Sequence, residues 1–197
     1  SSHEAAREEL ADVSFELANM YLAGRKVKQN AKRAIELLEL SAEYGAHGAL
    51  YRLGNCYLSG EVVVRNKKLA FEYYQQAADH GHPNAQAIMG HLYFLGTEVS
   101  QDHDKAVDYY LQAANNYEFD AQVLIGSCYL IGLGVAKDLP KATRFYNKAS
   151  SSEHTKPRKE FLALARFLYK AEADILYAMH AYAKECMSWL PFDEDCT

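Results

Sequence analysis

The chain has 197 residues, 49% of them hydrophobic and 24% charged, with a formal net charge of −5. This is enough for one domain with a sizeable core, and it excludes a disordered chain. The acidic balance leaves no global basic footprint for nucleic acid, and no apolar run is long enough for membrane insertion. No stretch reads as a secretory signal, so the compartment stays open between cytoplasmic and periplasmic or secreted with the signal removed.

Residues 11–45 open a pattern that returns every 36 residues, a period typical of stacked helix pairs. Its first half carries Leu17, Ala18 and Tyr21. The same positions hold Leu53, Gly54 and Tyr57 in residues 46–81, Met89, Gly90 and Tyr93 in 82–117, and Ile125, Gly126 and Tyr129 in 118–152. An apolar residue, a small residue and a Tyr at this spacing predict a helix that a neighbour can approach closely. Gly24, Gly60, Gly96 and Gly132 stand where that helix would end in a left-handed residue. Val27, Val63, Val99 and Val135 follow in a short loop and are placed to plug the gap between layers.

Asn30, Asn66, Asp102 and Asp138 then open a second helix as N-caps, and Pro140 fits a first helical turn. Each second helix carries a recurring Ala (Ala34, Ala70, Ala106, Ala142) and a bulky pair: Leu37-Leu38, Tyr73-Tyr74, Tyr109-Tyr110 or Phe145-Tyr146. Large against small is how two helices interdigitate. Gly45 and Gly81 close the first two units, and Tyr117 stands at that place in the third.

Residues 153–190 depart from the pattern. Asp174, Ala178, Tyr182 and Lys184 keep the register, but Ala165 and Leu168 replace the Tyr and Gly columns. A helix over Phe161–Lys170 that leaves without the glycine turn is expected, and the stretch is read as a capping unit. The acidic tail 191–197 is expected to fray. The expected fold is all-α: a single solenoid domain of about five antiparallel helix pairs.

The clearest copy runs Gly126-Ser-Cys-Tyr129-Leu-Ile-Gly132-Leu-Gly134-Val135-Ala-Lys-Asp138-Leu-Pro-Lys-Ala142-Thr-Arg-Phe-Tyr146-Asn-Lys-Ala149. It resembles the Sel-one-like repeat family, a relative of the tetratricopeptide repeats. The resemblance covers about residues 11–186. Units two and three depart by carrying Val62 and Glu98 at the second glycine, which bears on the loop conformation. The resemblance implies a right-handed superhelix and a role as an adaptor or scaffold that binds proteins. It implies no chemistry, and fold alone does not fix function.

First helices usually line the concave surface of such a stack, so their non-repeating columns are where a partner is sought. One stripe joins Glu16, Asn19 and Ala23 in unit one, and Arg52, Asn55 and Ser59 in unit two. It continues as Ile88, His91 and Leu95, then as Leu124, Ser127 and Ile131. The spacing of three and four puts each trio on one helical face. Ile88, Leu95, Leu124 and Ile131 would form the apolar half of a groove, with Arg52, Asn55, His91 and Ser127 among its polar residues. The competing reading is that the apolar half packs on the atypical fifth unit. A second candidate is a basic loop edge, Arg25, Lys26, Lys28, Lys32 and Arg33 beside Arg65, Lys67 and Lys68, whose field would steer an acidic partner.

No phosphate-cradling loop, nucleophile elbow or catalytic constellation is present, so no enzyme, cofactor or small-molecule substrate is expected. His80-Gly-His82 and Asp102-His103-Asp104 lack a second ligand cluster, and no metal site is expected there. Cys56 and Cys128 share an apolar column with Met20 and Leu92 and read as core thiols. Cys186 and Cys196 are close enough in sequence to staple the acidic tail by a disulfide. Two functions remain: a protein-interaction module binding a peptide or domain in its concave face, or a bacterial immunity or inhibitor protein that blocks a toxic enzyme.

Overall fold

The computed structural model describes residues 2–116, 119–150 and 172–186. These residues form helices joined by turns: α1 (Ser2–Ala23), α2 (Ala31–Glu43), α3 (His47–Ser59), α4 (Lys67–Asp79), α5 (Pro83–Leu95), α6 (His103–Asn115), α7 (Phe119–Ile131), α8 (Leu139–Ser150) and α9 (Glu172–Cys186). No strand occurs among the described residues. The fold is an all-α solenoid of helix pairs, as the repeat requires. The helix expected over Phe161–Lys170, and the tail 191–197, lie outside the described residues.

The chain divides into two compact units, residues 1–85 and 86–197. In the first, α1 packs on α2, α2 on α3, and α3 on α4. In the second, α6 packs on α7 and α7 on α8, and α9 also packs against α7.

Each repeat position has a visible cause. Asn30, Asn66, Asp102 and Asp138 accept the backbone N–H three residues on, at 2.9–3.1 Å, so the second helices start where the sequence places them. The backbone N–H of each cap residue donates to the carbonyl of the first-helix Tyr (Tyr21, Tyr57, Tyr93, Tyr129), which closes the loop from outside. Tyr57 stacks on Tyr73, Tyr93 on Tyr109 and Tyr129 on Phe145, with ring centroids 5.8–5.9 Å apart. Gly60 ends α3 at φ 69 and its N–H donates to the Cys56 carbonyl, and Gly24, Gly96 and Gly132 repeat that left-handed turn.

The loops do differ between repeats, as the missing glycines suggested. Gly134 has φ 66, and its counterpart in the first repeat is Lys26, with φ 62. Val62 and Glu98, at the same place in the second and third repeats, do not enter that region. A side chain is tolerated in the left-handed region at a cost, and Lys26 bears it on an exposed loop.

The small-residue column and the second bulky residue are matched in size. A Cβ on Gly54 would lie 2.6 Å from the Tyr74 ring, one on Gly90 2.6 Å from Tyr110, and one on Gly126 2.9 Å from Tyr146. In the first repeat the small residue is Ala18, and the bulky one is Leu38 rather than Tyr. The shorter, ring-free Leu leaves room for the methyl group.

A first-helix face, polar in one unit and covered in the other

The tyrosines that press on these glycines also carry hydroxyls, and burial forces each hydroxyl to find a partner. It finds one on the facing first helix, one residue past the glycine. Tyr74 donates to Asn55 Oδ1 at 2.7 Å. Tyr110 shares a 2.9 Å hydrogen bond with His91 Nδ1, and Tyr146 a 2.8 Å one with Ser127. The column Asn55, His91 and Ser127 is therefore not free of packing. Its identity varies, but the opposing hydroxyl requires it to be polar. Leu38 has no hydroxyl, and Asn19 is released to accept from Arg52 Nε at 3.1 Å.

In residues 1–85 this stripe is accessible. Glu16 is exposed, and Asn19, Arg52, Asn55 and Ser59 are half-buried. Among the described residues, the Arg52 guanidinium spends one N–H on Asn19, out of the five it offers. Beside it, Tyr51 stacks on His82 at 4.5 Å and His47 on His80 at 4.1 Å, the second pair within 1° of parallel. Burial lowers the pKa of His82 and His47, and each feels a neighbouring imidazole, so these two rings favour the neutral form.

In residues 86–197 the same stripe is mostly enclosed. Ile88, His91, Leu124 and Ser127 are buried, while Leu95 and Ile131 are half-buried and pack against the core cluster. His91 is 3% exposed, and burial pulls its pKa down to about 4, against a smaller opposing pull from Asp120. Leu124 belongs to one cluster with Ile175, Met179, Tyr182 and Ala183 of α9. Asp120, one turn before Leu124 on that face, accepts a hydrogen bond from the Tyr182 hydroxyl at 2.7 Å.

The model of the Sel1 repeat matches residues 11–45, 47–82, 83–117 and 119–154. The chain belongs to the Sel1 repeat family. A Sel1 repeat protein from Oxalobacter formigenes superposes with a TM-score of 0.73 at 34% identity, over 78% of this chain and 44% of that one. The protective antigen c5321 of uropathogenic Escherichia coli strains, which displays the same fold, gives a TM-score of 0.70 at 26% identity, over 94% of this chain and 40% of its own. The chain thus spans less than half the length of these solved relatives. No curated protein matches it. Sel1 repeat proteins are generally protein-interaction modules and typically non-catalytic scaffolds.

Of the basic loop edge, Arg25, Lys26, Lys28, Lys32, Arg33 and Lys68 are exposed, whereas Arg65 and Lys67 are half-buried. Arg33 pairs with Glu36 at 3.2 Å. Cys56 and Cys128 are buried and free; burial pushes the Cys128 thiol up to about 12, and it raises Cys56 against the pull of Arg52. Cys196 lies outside the described residues, and with it the proposed bridge to Cys186. Among the described residues, no group of three or more His, Cys, Asp or Glu is arranged to hold a metal ion, and no helix is long and apolar enough to cross a membrane. Two features leave no mark in the order of residues. Tyr51 and His47 sit in columns with Phe15 and Ala11, and only the fold shows which ring each one meets. Nothing in the order of residues marks Asp120, because its partner is 62 residues away.

Proposed function

We propose that this chain is a protein-interaction module whose partner docks on the first-helix stripe of α1 and α3, with Arg52 and Asn55 at its centre and Asn19 and Ser59 at its sides. The observation that carries this is Arg52. It is half-buried and oriented through Nε by Asn19, with N–H donors left over. A guanidinium held in this way prefers a carboxylate, which it can engage bidentately. The partner is accordingly a protein with an acidic side chain at the contact. The exposed cations Arg25, Lys28 and Lys32 of the same unit add an attractive field that speeds encounter.

The test is capture of partners from native extract by the wild-type chain and by Arg52→Glu, with the helical circular dichroism of both recorded. Charge reversal should abolish capture while the fold is kept, and Arg52→Lys should retain part of it. The same partners captured by a folded Arg52→Glu chain would sink the proposal.

A further inference from the structure

In repeats two to four, the second-helix tyrosine bonds the first helix 19 residues before it. Tyr182 holds the same repeat register on α9, yet its hydroxyl reaches Asp120, 62 residues before it. α9 therefore lies on the first-helix stripe of α7. Its Ile175, Met179, Tyr182 and Ala183 are buried there, and the His180 ring meets Phe94 of α5 at 4.6 Å. The opposite side of α9 faces solvent: Tyr177 is 79% exposed, and Lys184 and Glu185 are exposed as well. This is an amphipathic helix seated in a groove by anchors at i, i+4 and i+7, which is the way a helical ligand is held. It belongs to the same chain as the groove, so its binding is intramolecular.

We propose that the first-helix face of α5 and α7 is a docking surface for an amphipathic helix, that α9 is its resident occupant, and that a free helix with the spacing of Ile175, Met179 and Tyr182 competes with α9 for it. Two further observations fit an exchangeable occupant. One side of α9 is covered, whereas α7 beneath it is buried along residues 119–130. The face also contains polar groups that have partners without α9: His91 bonds Tyr110 and Ser127 bonds Tyr146. Departure of α9 thus leaves those two pairs intact and exposes an apolar strip around Leu124. The inference stands apart from the Arg52 reading, which concerns α1 and α3.

The test uses the full chain and a fluorescently labelled synthetic peptide of residues 172–186. Ile175→Asp combined with Met179→Asp should evict α9 and raise peptide affinity at least tenfold over wild type, by anisotropy. Amides of residues 119–131 should exchange faster in that variant and regain protection when peptide is added. Tyr182→Phe, which removes only the hydroxyl, should raise affinity a few-fold. A peptide carrying Met179→Asp should bind none of the three chains. Equal peptide affinity for wild type and both variants would overturn the proposal. So would loss of all helical signal in the double variant, because α9 would then be an integral part of the core.

Discussion

The face of α3 and the face of α7 are built from the same repeat and end up in opposite states. Both present a glycine to a tyrosine ring, at Gly54 and Gly126, and both give that tyrosine a hydroxyl partner one residue later, at Asn55 and Ser127. Around α3 the neighbouring side chains are Arg52 and Ser59, and the stripe stays half-exposed. Around α7 they are Leu124 and Asp120, and α9 lies over them. The lesson is that the repeat specifies the packing between the helices of a pair, while one turn of non-repeating residues determines whether the outer face stays open or is taken by another segment.

Acid should separate the two units most. His91 is held neutral by burial, with a folded pKa of about 4 against an ordinary 6.5. The unfolded chain therefore binds more protons between those values, and stability falls as pH drops from 6.5 towards 4. The loss is roughly 3 kcal/mol over the full window. His103, lowered by burial and by His180, acts in the same direction in the same unit. In residues 1–85 the lowered His82 and His47 do so too, but both are half-buried, so the larger loss falls on the unit of fully buried His91. Hydrogen exchange at pH 7 and pH 4.5 should show α5 and α6 losing protection before α1 and α2, and His91→Gln should remove most of the difference. Equal acid loss in both units would break the comparison.

The glycine contacts come next. Gly90→Ala and Gly54→Ala should each cost about 2 to 3 kcal/mol in urea melts, because each Cβ would press on a buried ring. Ala18 with Leu38 shows how to relieve this. Gly54→Ala with Tyr74→Leu should recover most of the loss, since half-exposed Asn55 can turn to water. Gly90→Ala with Tyr110→Leu should not, since it leaves buried His91 without its partner. Similar recovery in both would show that exposure of the partner does not matter.

A milder version removes only the hydroxyls. Tyr74→Phe should cost under about 1 kcal/mol and Tyr110→Phe about 1 to 3 kcal/mol, for the same reason. Smallest is Lys26→Gly, which should raise stability by roughly 0.5 to 1 kcal/mol by relieving a left-handed side-chain residue. Its effect should be confined to unit one, and an unchanged melting midpoint would count against strain at Lys26.

Much of this was legible in the residues. Asn30, Asn66, Asp102 and Asp138 announced their helices because capping is local: a side chain meets a backbone N–H three residues away. The glycine turns were legible for the same reason, since backbone sterics act within one residue. The stripe of candidate residues was legible as a face, because helical geometry fixes which positions share a side. Its use was not. Asn55, His91 and Ser127 differ in identity because three different residues satisfy one hydroxyl, so their column hides the constraint. Arg52 and Leu124 looked like two halves of one surface, because nothing in the order of residues shows which is covered.

The order of residues is enough to specify the helices, their caps, their turns and the alternation of small and bulky columns. These rest on contacts within a turn or on columns that return every 36 residues, so the repeat makes them visible. It takes the packed chain to show that Tyr182 meets Asp120, that α9 lies on α7, and that Arg52 stays accessible. Those contacts join residues far apart in the chain and occur once, so no periodicity records them.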